Sequence, residues 1–447
     1  MATIVTEQDE MVHNGEELPI LSASAKRMKI DKLLATPLPT YDGSVPGSYL
    51  WTKLAFWMIR RVSSVQFRTS STTTAARLST GGAGAMCCGW HTNGLMDPLG
   101  IFLNHPKEFV VGARHDLVTR PLLGWWTRRL AVQPVVRKAE LLRGGCTEEE
   151  AAQLNGRSLL ALSSGIAHGF GCVLFPEGTS HSQSHMIRFK TGPVRTLLAA
   201  AALAKANDLP LPHLVPVGLH YRRREHFRTD KFVEFGEPIE LDEASIPTDM
   251  VDAVGRGGWV EPPQATVHRV RDQLQAHLPT LTPNTSTWEE HRALHLMAHV
   301  KARDSGTRLT SWQDEVLAAR EVRRAWPNRV ASFPPDPLEG GSLRSASEAA
   351  ELLEARGLDG RDLGPKGHVL RKASLNRLPG AVLAVLTFAL LFPFALTSLG
   401  VQITLGRLLG DSTDEGLDAR TSFQFLAAFF GSMLVWPVVA AVWTFVV

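Results

Sequence analysis

Two stretches near the C-terminus carry no charged residue: Leu378 to Gly406, and Thr421 to Val447. A helix needs roughly 20 apolar residues to cross the hydrocarbon core of a bilayer, and both stretches are longer than that. Pro379, Pro393 and Gly400 make the first less regular, and Pro437 can kink the second. Between them lies the polar segment "RLLGDSTDEGLDAR". The pattern reads as a transmembrane helical hairpin, weighed against a buried apolar hairpin in a soluble protein. Lys366, Arg371, Lys372 and Arg377 lie just upstream, so the positive-inside rule puts the main body in the cytosol and the 407–420 loop on the far side. The first 30 residues carry Glu7, Asp9, Glu10, Glu16 and Glu17 and no apolar run of a secretory signal. The hairpin is therefore the expected anchor.

Charge excludes little else. A net charge of +3 is too weak a bias to argue for nucleic acid, and none is expected as a partner. Cys87, Cys88, Cys146 and Cys172 form no CxxC pair and are too sparse for a disulfide framework. Residues 1–48 are polar and aperiodic and read as a flexible segment. "YLWTKLAFWMIRRVSSVQF", 49–67, sets aromatics beside Lys53, Arg60 and Arg61. That is the pattern of a membrane-interface helix, the alternative being a core helix with a charged rim.

Beyond it, short apolar runs alternate with helical patterns. "AMCCGWH", "EFVVGAR", "VQPVVR", "CVLFPEG", "LVPVGLHY" and "KFVEFGEPI" read as strands; "GRSLLALSSGIAHG" and "GPVRTLLAAAALAKAND" read as helices. The expectation is an α/β domain over 77–262, with a central, largely parallel sheet flanked by helices. A helical extension should occupy 263–330. A linker with a short helix, Ser345 to Leu358, should occupy 331–377, and two transmembrane helices 378–447.

Two stretches carry chemistry. In "GWHTNGLMDPLG", five residues separate His91 from Asp97. A carboxylate beside a histidine orients it as a general base. On a helix the two side chains would point about 120° apart; on a strand they would lie about 20 Å apart. Only a turn brings them together, and Gly94 can supply one. Asp97 then suits a helix N-cap and Pro98 the first turn. A structural histidine beside a capping aspartate is the bland alternative. The second stretch, "VLFPEGTSHSQSHMIRFKTGPVRTLL", opens a buried strand into Glu177, Gly178, Thr179 and Ser180, with Arg188 and Lys190 following. Backbone N–H groups, hydroxyls and cations together suit an anion such as phosphate. His181 and His185 are spaced as a zinc pair can be, but with no third ligand no metal is expected.

Together these segments resemble the glycerolipid acyltransferases, a PlsC-like family that includes the bacterial lysophosphatidate acyltransferases. The family carries His-x4-Asp, then an Arg-bearing block, then Phe-Pro-Glu-Gly, then a Val-Pro-Val-type block. "HTNGLMDP", "VQPVVRK" with Arg137, "FPEGTS" and "LVPVGLHY" stand in that order here. The five-residue gap departs from the usual four. With "FPEGTSHS" and the hydrophobic pair, it resembles the fungal-type branch that acylates glycerol-3-phosphate and dihydroxyacetone phosphate.

The resemblance implies a membrane-bound enzyme moving a fatty acyl group from acyl-CoA, a co-substrate, to the sn-1 hydroxyl of glycerol-3-phosphate. No other cofactor is implied. His91 and Asp97 are the implied catalytic pair. Arg137, Glu177 and Gly178 are implied acceptor contacts, with Thr179, Ser180, Arg188 and Lys190 as further binding candidates. An endoplasmic reticulum membrane with the catalytic domain facing the cytosol is the implied setting. The competing readings are sn-2 acylation of lysophosphatidate and a non-catalytic lipid-binding scaffold.

Overall fold

The computed structural model describes residues 12–13, 16–17, 28–41, 43–73, 82–136, 141, 145–325, 341–367, 378–411 and 417–446. Its centre is a six-stranded sheet: β1 (Phe67–Thr73), β2 (Ala85–Gly89), β3 (Phe109–Val110), β4 (Gly171–Val173), β5 (His213–Tyr221) and β6 (Thr229–Phe235), in the order β1-β6-β5-β2-β4-β3. Every neighbouring pair is parallel except β5–β6. The expected α/β architecture is therefore present, as a mixed sheet. Strand β1, "FRTSSTT", extends the sheet to before residue 77. Its first residue is buried and the next three are exposed, as an edge strand allows.

The helices pack on both faces of the sheet. α1 (Tyr49–Gln66), α2 (Met96–Asn104) and α3 (Pro121–Arg129) share an apolar cluster with one face of the sheet, through Ala55, Met58, Met96, Leu99 and Trp126. α4 (Glu148–Ala167) and α5 (Gly192–Ala206) close the other face, with Leu162, Ile166, Leu197 and the wholly buried run Ala199–Ala202. Alanine lets α5 lie flat there while keeping high helix propensity. A Thr147–Glu150 capping box starts α4.

The expected helical extension is present as α6 (Gln264–His277), α7 (Trp288–Asp304) and α8 (Trp312–Arg324). The next helix, α9, spans Gly341–Glu354 and starts ahead of the expected Ser345. It buries Leu343 against Ala293, Leu294 and Val322, so this part of the expected linker is packed structure. Residues 326–340 and 368–377 lie outside the described set.

Facing α7 and α8, the β5–β6 pair carries a charged seam. Asp230 accepts from Arg68 Nε at 2.9 Å and Arg222 Nε at 2.8 Å. Arg222 also donates to Glu315 at 2.6 Å, and Arg320 to Glu234 at 2.7 Å. A small cavity beside this seam is lined by His220, His291, His295 and Arg323.

α1 exposes Tyr49, Leu50, Leu54 and Trp57. That row continues onto α3, where Trp125 stands 5.0 Å from Trp51, ring to ring. Helices α10 (Leu378–Asp411) and α11 (Leu417–Val446) are long and apolar enough to cross a membrane. Their junction meets the folded domain. The start of α11 packs on the α/β domain: Phe425 and Phe429 are buried in the α1–α2–α3 cluster, and Ser422 Oγ accepts the Leu95 amide at 2.9 Å. The loop end of the hairpin therefore lies against the domain in this structure.

Two outcomes follow from this arrangement. A cysteine at Leu408→Cys, in a Cys146→Ser background, should react with an impermeant thiol reagent from the same side of sealed vesicles as a domain-surface Arg269→Cys. Labelling from opposite sides would contradict the docking. The histidines provide the second test. Burial lowers His291 to about 3, aided by His220, Arg323 and Arg292, and holds His295 well below its ordinary range. Such groups stay neutral when folded and bind protons when unfolded, so stability should fall as pH drops from about 6.5 toward 3. Thermal melts in detergent should show a falling midpoint between pH 7 and 5. His291→Gln should flatten that slope.

Candidate active site

β2 ends at Gly89, and the chain then turns rather than continuing as a strand. Gly94 takes φ +45, and α2 begins at Met96. The turn brings His91 Nδ1 to 3.0 Å from Asp97 Oδ2. The same oxygen accepts the amides of Thr92 at 2.8 Å and Asn93 at 2.7 Å. Asp97 is the second residue of α2, inside the helix rather than its N-cap, and its carboxylate serves the preceding turn. It is 0% exposed, where an anion is tolerated only when donors surround it. With Nδ1–H donated to Asp97, His91 presents Nε2 as its free basic nitrogen, and its side chain is 18% exposed.

A second buried carboxylate lies behind the histidine. Glu177 Oε2 accepts the His91 amide at 2.9 Å, and Oε1 accepts the Ile187 amide at 3.0 Å and His181 Nε2–H at 2.8 Å. Both oxygens are taken by the protein and the residue is 0% exposed. Its contacts hold the His91 chain, in place of the acceptor contact expected of it. The Phe175 ring stacks on His91 at 3.9 Å between centroids. Gly178 follows at φ +73; a Cβ there would stand 2.8 Å from the Lys190 stem. The His181 amide closes the pairing by donating to the His91 carbonyl at 3.1 Å.

The remaining expected residues are placed unevenly. Thr179 and Ser180 are partly exposed on the loop beside His181. Lys190 is exposed, with its amide donating to the Pro176 carbonyl at 2.6 Å. Arg188 lines a cleft of ≈ 450 Å³ together with His185, Arg271 and Gln275. Arg137 lies outside the described residues. Among the described residues no group of His, Cys, Asp and Glu is placed to hold a metal ion.

Three residues escape the sequence reading. Phe175 is read only as the first residue of the Phe-Pro-Glu-Gly block, which gives no sign that its ring stacks on His91. Tyr221 ends β5 against Asp97; burial and the Asp97 charge push its phenol well above the usual range. Arg224 donates to the carbonyls of Thr92 at 2.9 Å and His181 at 3.2 Å, tying the two loops together. "HYRRREHF" offers three adjacent arginines, and nothing in their order distinguishes this one. The extension also reaches the site: Trp288 Nε1 donates to the Ser182 carbonyl at 2.8 Å, and Ser184 Oγ to the Thr285 carbonyl at 2.8 Å.

The Acyltransferase family model matches residues 64–219, the span that holds both loops. This span is an acyltransferase domain, and its relatives include glycerolipid acyltransferases. It is similar to glycerol-3-phosphate O-acyltransferase 2 of Saccharomyces cerevisiae, at 29% identity over 34% of this chain and 19% of that protein. It is also similar to a 1-acyl-sn-glycerol-3-phosphate acyltransferase of Streptococcus pneumoniae, at 22% identity over 43% of this chain and 58% of that one. The chain thus spans less than two thirds of either relative. The crystal structure of the lysophosphatidate acyltransferase PlsC from Thermotoga maritima aligns at 15% identity over 50% of this chain and 80% of that one, with a TM-score of 0.31.

Glu177→Gln tests the clamp. A glutamine has one acceptor oxygen and cannot receive both the His91 and Ile187 amides, so a donor would face a donor. Activity should fall by about a hundredfold, as a small displacement of a catalytic group can cause. Circular dichroism should stay near wild type; full activity in this variant would remove the clamp.

Proposed function

We propose that this protein transfers a fatty acyl group from acyl-CoA to the sn-1 hydroxyl of glycerol-3-phosphate, with dihydroxyacetone phosphate as a second acceptor. The observation that carries the chemistry is the 3.0 Å contact between His91 Nδ1 and a wholly buried Asp97. It fixes one tautomer and leaves Nε2 as a base. In the proposed step, Nε2 takes the proton of the acceptor hydroxyl as its oxygen attacks the thioester carbonyl. The tetrahedral intermediate expels the CoA thiolate, which takes the proton back from Nε2. The products are an ester and free CoA, with no acyl-enzyme required. Asp97 supports the imidazolium while it exists.

In this reading Arg137, Thr179, Ser180, Arg188 and Lys190 attract the phosphate groups of acceptor or donor, and Glu177 acts through the His91 backbone. Likeness to yeast proteins named as glycerol-3-phosphate O-acyltransferases supports the acceptor. The two apolar helices and the exposed aromatic row of α1 support work at a membrane, here the endoplasmic reticulum with the domain in the cytosol. A second reading, acylation of lysophosphatidate at sn-2, is favoured by the Streptococcus relative, which is matched over a larger share of its length.

Membranes containing the full chain, supplied with acyl-CoA and each acceptor in turn, should form lysophosphatidate from glycerol-3-phosphate. Product from lysophosphatidate alone would move the assignment to the second reading. His91→Ala should lose about 10²–10⁴-fold in rate, and Asp97→Asn should fall with it. An unimpaired His91→Ala would end the general-base mechanism.

A further inference from the structure

The catalytic turn has a partner far away in sequence. The Leu95 amide donates to Ser422 Oγ at 2.9 Å, and Thr421 Oγ1 donates to the Asn93 side-chain carbonyl. Thr421 and Asn93 are each 1% exposed, so no solvent is at hand to replace the bond if it is lost. Asn93 is thus held twice: its amide by Asp97, its side chain by Thr421.

Both hydroxyls stand at the start of α11, and packing fixes that start. Phe425 and Phe429 are buried in the cluster that contains Met96 and Leu99 of α2, and Phe429 meets Trp126 at 5.6 Å. On the other side, Arg420 pairs with Asp411 at 2.7 Å, and Gly406 of α10 lies against Gln424. From Leu434 onward, α11 exposes Trp436, Val438, Val442 and Phe445. The helix therefore has a docked base and an exposed apolar remainder.

We infer that Thr421 and Ser422 are positioning residues for the His91–Asp97 turn, so that the C-terminal hairpin is part of the active site as well as an apolar anchor. The inference rests on the general-base reading above. The two hydroxyls hold the outer side of a turn whose inner side is gathered by Asp97. Without them the turn loosens and Asp97 sits less well against Nδ1. The hairpin's packing then bears directly on catalysis.

The test uses the full chain in membranes and compares Thr421→Val, Ser422→Ala, the double variant and Thr421→Ser, with Val438→Ala as an exposed-face control. The double variant should lose at least about tenfold in kcat, since small displacements of a catalytic group are costly. Its acceptor KM should stay within about twofold, because no phosphate-binding residue is touched. A looser Asp97 favours the imidazolium less, so the acidic limb of the kcat–pH profile should move to lower pH. Thr421→Ser should recover most of the rate, and all variants should stay with the membrane pellet. Wild-type kcat in the double variant, beside an inactive His91→Ala, would overturn the inference and leave the base reading standing. A loss that Thr421→Ser does not rescue, with the acidic limb unmoved, would also overturn it, as general loosening of the hairpin. An active His91→Ala would remove both readings.

Discussion

The site is organised by the burial of one charge. Asp97 has no contact with solvent, yet one of its oxygens collects three donors, all from the three residues His91 to Asn93. Charge-assisted bonds in a low-dielectric interior are strong, and an unmatched carboxylate there would be expensive. The turn therefore has to curl back over the first turn of α2. The five-residue gap accommodates that curl, with Gly94 taking the positive φ. Glu177 repeats the logic from behind, with both oxygens occupied by the His91 chain and its neighbours. Between two buried carboxylates and a stacked phenyl ring, His91 has little freedom left except at Nε2.

The same principle explains how the extension is attached. Asp230, Glu234 and Glu315 are buried, and each is met by an arginine from another element. Burial pushes the Glu234 carboxyl up, but Arg320 and His220 outweigh it and hold the group at about 2. A seam of this kind tolerates few arrangements, since removing one partner strands the other. It fixes α7 and α8 against β5 and β6, and that in turn sets Trp288 and Thr285 over the 181–187 loop. The helices beyond residue 263 thus brace the loop that carries the Glu177 clamp.

Much of this was legible in the chain itself. Short apolar runs located β2, β4 and β5, and the alanine-rich period located α5. That His91 and Asp97 meet through a turn followed from the failure of helix and strand geometry to join them. What was not legible involved partners supplied by tertiary contact. Asp97 reads as a cap because aspartate before proline favours helix starts, but three turn donors claim its carboxylate first. "FPEG" reads as a ligand loop, though Glu177 faces inward. "FRTSSTT" lacks apolar alternation because an edge strand is half solvated. Arg224 and Tyr221 carry no local signal at all.

The hairpin shows the limit most sharply, and also why the fold makes sense as one unit. Hydropathy treats Phe425 and Phe445 alike, yet the first is buried in the domain and the second is almost wholly exposed. The difference arises from what faces each residue: α1, α2 and α3 present an apolar surface at the base of α11 and nothing beyond Leu434. That surface is continuous with the exposed row Tyr49, Leu50, Leu54 and Trp57 and with Trp125. The groups that would meet a lipid phase and the turn that bears His91 therefore share one packed cluster. Under the proposed chemistry, a donor with a long apolar tail and a product that is itself a lipid would meet the base where that cluster ends. Partial exposure of His91 beside so much apolar surface is what such a reaction requires.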